Sequence, residues 1–203
     1  MRYTTPFLRP LFVLTAVFFF VFSAAAQGDA VGKTGQSYDV SLQLIVGTND
    51  ASSKMAIPAN LVSIGSRLMT RFGYHNLRVS NTFFGRIADN GNYEYKSVGD
   101  LSGKVDAANA TPAFVEWSFQ SLRGEPTEKS SPGILAEAFR FGARVPVVTG
   151  AAKDSSQISY ESIGVNLRKI GFAVNEPTLI STLDLPGTGG TAFLIVTATP
   201  VDR

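Results

Sequence analysis

The sequence contains no cysteine, one histidine, one tryptophan and three methionines. Without cysteine there can be no disulfide, no thiolate metal ligand and no thiol nucleophile. A lone His75 excludes, within one chain, a multi-histidine metal site and a histidine-based catalytic triad. No serine stands three residues before a lysine and no Gly-x-Ser-x-Gly occurs, so two further nucleophile patterns are missing. After residue 26 no run is long and apolar enough to cross a bilayer as a helix, which takes roughly 20 residues. Basic clusters of the kind that bind nucleic acid are also lacking.

What is present begins with the three zones of a secretory signal. Arg2 and Arg9 give a positive start, Leu11 to Phe22 form an apolar run broken by Thr15, and Ser23-Ala24-Ala25-Ala26 supplies small residues before Gln27. The expectation is a signal peptide over 1–26, a flexible leader over 27–36 and a single mostly-β domain over 37–203, with a subdivision near 99–112 as the alternative. Removing Arg2 and Arg9 from the 18 basic residues leaves 16 against 16 acidic ones, a balanced mature chain despite the pI of 8.9. An exported protein without cysteine must rely on its core, which a domain of this size can supply, and points to a bacterial envelope.

Tyr38 to Leu44 alternates apolar and polar residues, as a strand with one buried face does. Pro58 suits the first turn of a helix, Leu61, Ile64, Leu68 and Phe72 recur at helical spacing, Ser63, Ser66, Arg67, Thr70 and Arg71 fall opposite, and Gly73 is a C-terminal stop. Strands are predicted over Leu77–Ala88 and Asn92–Val98, with Asn90-Gly91 as a hairpin turn between them. Further strands place Val115, Trp117 and Phe119 on one face, then Phe139, Phe141, Ala143, Val145 and Val147 opposite Arg140 and Arg144. After these, Ile163, Val165 and Leu167 lie opposite Asn166 and Arg168. Leu179–Leu185 and Ala192–Thr199 close the chain around the turn-forming Pro186 to Gly190. The order is β-α-β-β and then at least four more strands, an α+β, mostly β fold completed by an antiparallel sheet or sandwich.

Candidate chemistry is sparse. Gly32-Lys33-Thr34 lacks the earlier glycine and preceding strand of a phosphate loop. Gly187-Thr188-Gly189-Gly190 lacks the strand-to-helix setting of a dinucleotide loop. Asn109-Ala110-Thr111 fits a glycosylation acceptor and reads as a plain loop. Glu116, Glu137, Glu161 and Glu176 read as solvated strand faces, except that Glu137 shares parity with Phe139 and Phe141; it stands near a strand start or is paired, the first being favoured. Trp117 and Phe83-Phe84 read as core or sheet-surface residues. No catalytic residue, cofactor or metal is expected.

Phe139-Arg140-Phe141-Gly142-Ala143-Arg144-Val145-Pro146-Val147-Val148-Thr149-Gly150, followed by Ser159-Tyr160-Glu161-Ser162-Ile163-Gly164-Val165-Asn166-Leu167, resembles part of the secretin domain of outer-membrane secretion and type IV pilus channels. In that family a Gly-x-x-Val-Pro strand with a nearby glycine leads, after a variable loop, into Tyr-x-x-Val-Gly-Ile-x-Leu. Phe193 to Val201 is similar to the family's final strand. The matching positions are Gly142, Val145, Pro146, Gly150 and Gly164, with Arg140 and Arg144 as a partner-facing pair. The family's long membrane-crossing hairpin region and second Val-Pro-x-Leu-Gly signature are missing from this sequence. The resemblance implies a truncated secretin-like sheet in a periplasmic or outer-membrane-associated assembly protein, not an enzyme, whose partners are other envelope proteins or copies of itself. It involves no nucleic acid and leaves membrane association open. Two rival readings are a soluble periplasmic ligand-binding module, using a cleft near Trp117 and the loops 124–133 and 150–157, and a small outer-membrane β-barrel, which would need apolar residues outward on eight or more strands.

Overall fold

Among the described residues, eight strands and one α-helix are built around two apolar layers. A computed structural model describes residues 35–49, 57–101, 111–125, 133–152, 155–187 and 190–201. The expected signal peptide over 1–26, nearly all of the leader over 27–36, the Gly32-Lys33-Thr34 segment and Asn109-Ala110 lie outside the described residues.

The strands are β1 (Ser37–Thr48), β2 (Asn76–Ala88), β3 (Gly91–Gly99), β4 (Ala113–Glu125), β5 (Gly133–Ala152), β6 (Ser155–Ala173), β7 (Thr178–Asp184) and β8 (Thr191–Val201). They form two four-stranded antiparallel sheets, ordered β2-β1-β8-β7 and β3-β4-β5-β6. The mostly-β α+β architecture is the expected one. β3 and β4, which flank 99–112, pair with each other, so that segment joins neighbouring strands of one sheet.

The inner faces meet in the main core, where Leu42, Leu44, Leu194 and Val196 of the first sheet face Trp117, Phe119, Phe139 and Phe141 of the second. The helix α1 (Val62–Phe72) follows a 3₁₀ turn over Ala59–Leu61 and ends at Gly73, whose φ of 71° is the left-handed stop a glycine provides. Pro58 sits just outside the first turn as its cap rather than within it. Leu61, Ile64 and Leu68 cover Ile45, Phe193 and Ile195 on the opposite face of the first sheet. β1 therefore alternates only at its start; from Leu42 to Gly47 it is buried on both faces, because α1 covers the face that a two-layer sandwich would leave wet.

Asn90-Gly91 is not a hairpin. Asn90 takes the left-handed conformation, with φ 57°, that the pair favours. However, β2 pairs with β1 and β3 pairs with β4, so the turn carries the chain from one sheet to the other. Backbone bonds from Asp89 N–H to Gln36 O and from Asn90 N–H to Leu122 O hold this corner.

A crease crosses the second sheet. On β4 the buried series Val115, Trp117, Phe119 jumps to Leu122, with Ser121 at φ 47°; on β6 the inward series Ile163, Val165, Leu167 jumps to Ile170 and Phe172, with Lys169 at φ 52°. On β5 the same change falls between Ala136 and Phe139, and on β3 the register slips at Asn92, whose side-chain oxygen accepts the Ser121 N–H at 2.9 Å. Such irregularities bend a strand and raise its twist. Glu137 stands at this crease, five residues into β5, and its carboxylate meets Arg123 at 3.3 Å. The paired alternative thus holds, not the favoured strand start, because the alternation that linked Glu137 to Phe139 is interrupted between them.

Candidate interaction surface

The solvent face of the second sheet carries the even-numbered residues of β4 and β6 before the crease and of β5 after it. Phe139, Phe141, Ala143 and Val145 are buried while Arg140 and Arg144 are exposed, the parity expected from the sequence. Pairing of β4 with β5 ends at Phe114 and Arg144, whereas β5 and β6 continue together to Ala152 and Ser155. Residues 145–152 and 155–161 thus form a two-stranded ribbon that extends past the sheet.

Apolar side chains gather at this end. Val98, Phe114, Val148, Ile158 and Tyr160 are 42% to 64% exposed, and registration places Val98 beside Phe114 and Val148 beside Ile158. The Arg144 guanidinium lies 4.9 Å from the centre of the Phe114 ring, which packs against Tyr160 at 5.6 Å between ring centres. The Tyr160 hydroxyl donates to the Pro112 carbonyl at 3.3 Å, tying the ribbon to the start of β4. Sequence reasoning missed Phe114, Val148, Ile158 and Tyr160. The available signal was their parity, since each falls on the same face as Arg144 or Ser162, where a one-sided strand should be polar.

Toward the middle of the same face lies an open trough of about 980 Å³ bordered by Asn92, Glu94, Lys96, Glu116, Gln120, Arg140 and Asn166. Its floor is low where Gly142 stands opposite Gly164. A Cβ on Gly164 would come within 2.7 Å of the Phe141 carbonyl oxygen, and one on Gly142 would press on Glu116. Lys96 contacts Glu94 at 3.0 Å and Glu116 at 3.9 Å, and its ammonium pKa is raised first by the Glu94 hydrogen bond.

The five motif positions lie along β5 and β6 without converging on one site. Val145 is buried opposite Glu161, and Pro146, paired with Tyr160 of β6, lies just past the last β4 partner, so its missing N–H takes no ladder bond from β4. Gly150 has nothing within 4 Å of a Cβ and lies beside a register shift. The four glutamates do not converge either. Among the described residues no three His, Cys, Asp or Glu side chains lie together as a metal site. His75 is exposed, with its backbone N–H and Nδ1 both 3.0 Å from Asn49 Oδ1.

Trp117 is buried in the core against Tyr93, with 4.9 Å between ring centres, and both residues also line the trough, so an open depression does lie near Trp117 as the ligand-binding reading expected. Phe83 is buried while Phe84 is 73% exposed. Of the loops assigned to a ligand cleft, 150–152 and 155–157 are strand, Gly124 and Glu125 end β4, and 126–132 and 153–154 lie outside the described residues. The filled apolar interior and charged outer faces are the reverse of the pattern a lipid-facing barrel needs. Among the described residues no helix is long and apolar enough to cross a membrane.

No protein-family model matches the chain, and no curated protein matches it. Among solved structures it is similar to the Salmonella SPI-1 type III secretion injectisome secretin InvG, residues 176 to the end in the open gate state. Identity is 9% and the TM-score 0.31, with 93% of this chain and 66% of that chain covered. The chain thus spans just under two thirds of that structure, at a TM-score below that of a shared fold.

Proposed function

We propose that this protein is exported to the bacterial envelope and serves there as a structural or assembly component, acting through protein contacts rather than catalysis. The observation that supports the reading best is the exposed group Val98, Phe114, Val148, Ile158 and Tyr160 with Arg144 laid over Phe114. Contiguous apolar surface rimmed by polar residues marks an interaction site, and aromatic residues with arginine dominate the energetics of such surfaces. The trough beside it is wide and open, with the charged Glu94, Lys96, Glu116 and Arg140 on its border. The secretin-like reading of β5 and β6 belongs to this proposal and rests on the sequence resemblance.

A photocrosslinking side chain placed at 114 or 160 in living cells tests the proposal, with position 94 on the same face as control. Discrete adducts from 114 and 160 but not from 94 are expected. Their absence, or equal labelling from all three, would remove the proposed contact surface.

A further inference from the structure

An exposed strand edge is a template for another strand, and proteins blunt such edges with short strands, lysine, proline or bulges. Three of the four edges here are managed. β7 has seven residues. β2 and β3 adjoin at a sheet corner, where the Tyr93 hydroxyl donates to the Phe84 carbonyl at 3.2 Å and a Cβ on Gly99 would meet Asn81 Oδ1 at 2.8 Å. β6 is different: it runs for 19 residues, and from Ser155 to Arg168 it contains neither proline nor lysine and keeps an unbroken register with β5 after the shift at Gly150. Among the described residues no strand pairs with its outer side. The first interruption is the crease at Lys169.

Ile163, Val165 and Leu167 sit half-buried along this edge against the margin of the main core. Antiparallel pairing across a two-fold axis keeps inner faces together and sets residue i opposite a fixed partner. With the axis at Val165, that residue meets itself, Ile163 meets Leu167, and Glu161 meets Lys169 at each end. Every inner apolar residue then gains an apolar neighbour. Both end charges, neither of which has an ion-pair partner among the described residues, gain an opposite one. Cross-strand apolar and opposite-charge pairs are what stabilise sheets, and a self-complementary patch is what a two-fold dimer requires.

We infer that the 161–169 segment of β6 pairs antiparallel with the same segment of a second copy of this chain, about a two-fold axis at Val165, to join two sandwiches through one continuous sheet. The inference rests on the reading that the protein works through protein contacts and specifies one partner.

The cysteine-free sequence makes the test direct, because a single introduced cysteine can cross-link only to its own copy in a partner. Single cysteines at 157, 161, 163, 165 and 167 in the full chain should give mild-oxidation dimers peaking at 165 and falling off on both sides. By sedimentation, Glu161→Lys and Lys169→Glu should each weaken the dimer by about ten-fold or more, since each sets like charges opposite one another at both ends. The double variant should restore it, which single-site misfolding would not do. A chain that sediments as a monomer at about 100 µM, a cross-linking profile flat along β6, or a double variant no better than the singles would overturn the inference. If the chain is monomeric while positions 114 and 160 still give adducts in cells, only the dimer falls and the proposed function stands.

Discussion

The guanidinium of Arg144 lies 4.9 Å from the centre of the Phe114 ring, on adjacent strands at the point where β4 stops and the β5–β6 ribbon continues alone. One strand position thus supplies a charged, stacked surface outward, while its neighbours Ala143 and Val145 close the core inward. The arrangement separates residues that hold the fold from residues that face solvent, and the two groups should respond differently to substitution.

Phe141→Ala should destabilise by about 3–5 kcal/mol, because the ring is buried in the main core and its removal leaves a cavity. Arg144→Ala should cost no more than about 1 kcal/mol, the worth of an exposed cation–π contact. Urea unfolding of both variants measures the difference. A larger loss at Arg144 than at Phe141 would mean that the strand faces are reversed.

Gly164 and Gly150 belong to the same sequence resemblance, yet only Gly164 is sterically required. Gly164→Ala drives a Cβ to 2.7 Å from the Phe141 carbonyl oxygen and should cost about 1–3 kcal/mol through overpacking. Gly150→Ala meets nothing within 4 Å and should be neutral, or stabilise by about 0.4–1 kcal/mol through the unfolded chain. Thermal melts of the pair should separate by several degrees.

Alkali should expose the two tyrosines at the sheet corner. Burial, and secondarily the Asp89 carboxylate, raises the Tyr38 pKa; burial, and secondarily Tyr95, raises that of Tyr93. A raised folded-state value means that the contribution to stability is fully present below the ordinary phenol pKa of about 10 and is lost as pH climbs through the folded value. Stability should therefore fall above about pH 10, and Tyr93→Phe should flatten part of that fall. An alkaline limb unchanged in Tyr93→Phe would contradict this assignment.

Much of the fold was legible because local chemistry and tertiary structure agree. The helix ends at Gly73 as its spacing requires, and the Phe139-to-Val145 series faces the core throughout. Two features were hidden for a physical reason. Asn90-Gly91 reports a left-handed turn but not which strands will pair across it, so a sheet corner looked like a hairpin. The crease is distributed over Asn92, Ser121, Glu137 and Lys169 on four strands, and only their side-by-side registration makes it one feature. The interaction surface was partly legible: Arg140 and Arg144 stood out by parity, whereas Phe114 and Tyr160 meet only after β4, β5 and β6 pair.

The central claim is that this chain acts as part of a protein assembly, and the native mass of the particle recovered from the cell envelope without denaturation tests it most directly. The expected particle is well above the 21.7 kDa of the full 203-residue chain, which bounds the mass of one exported copy, and shifts toward the single chain when Phe114 and Tyr160 are both changed to serine. A wild-type particle of single-chain mass, with the double variant indistinguishable from it, would contradict the account.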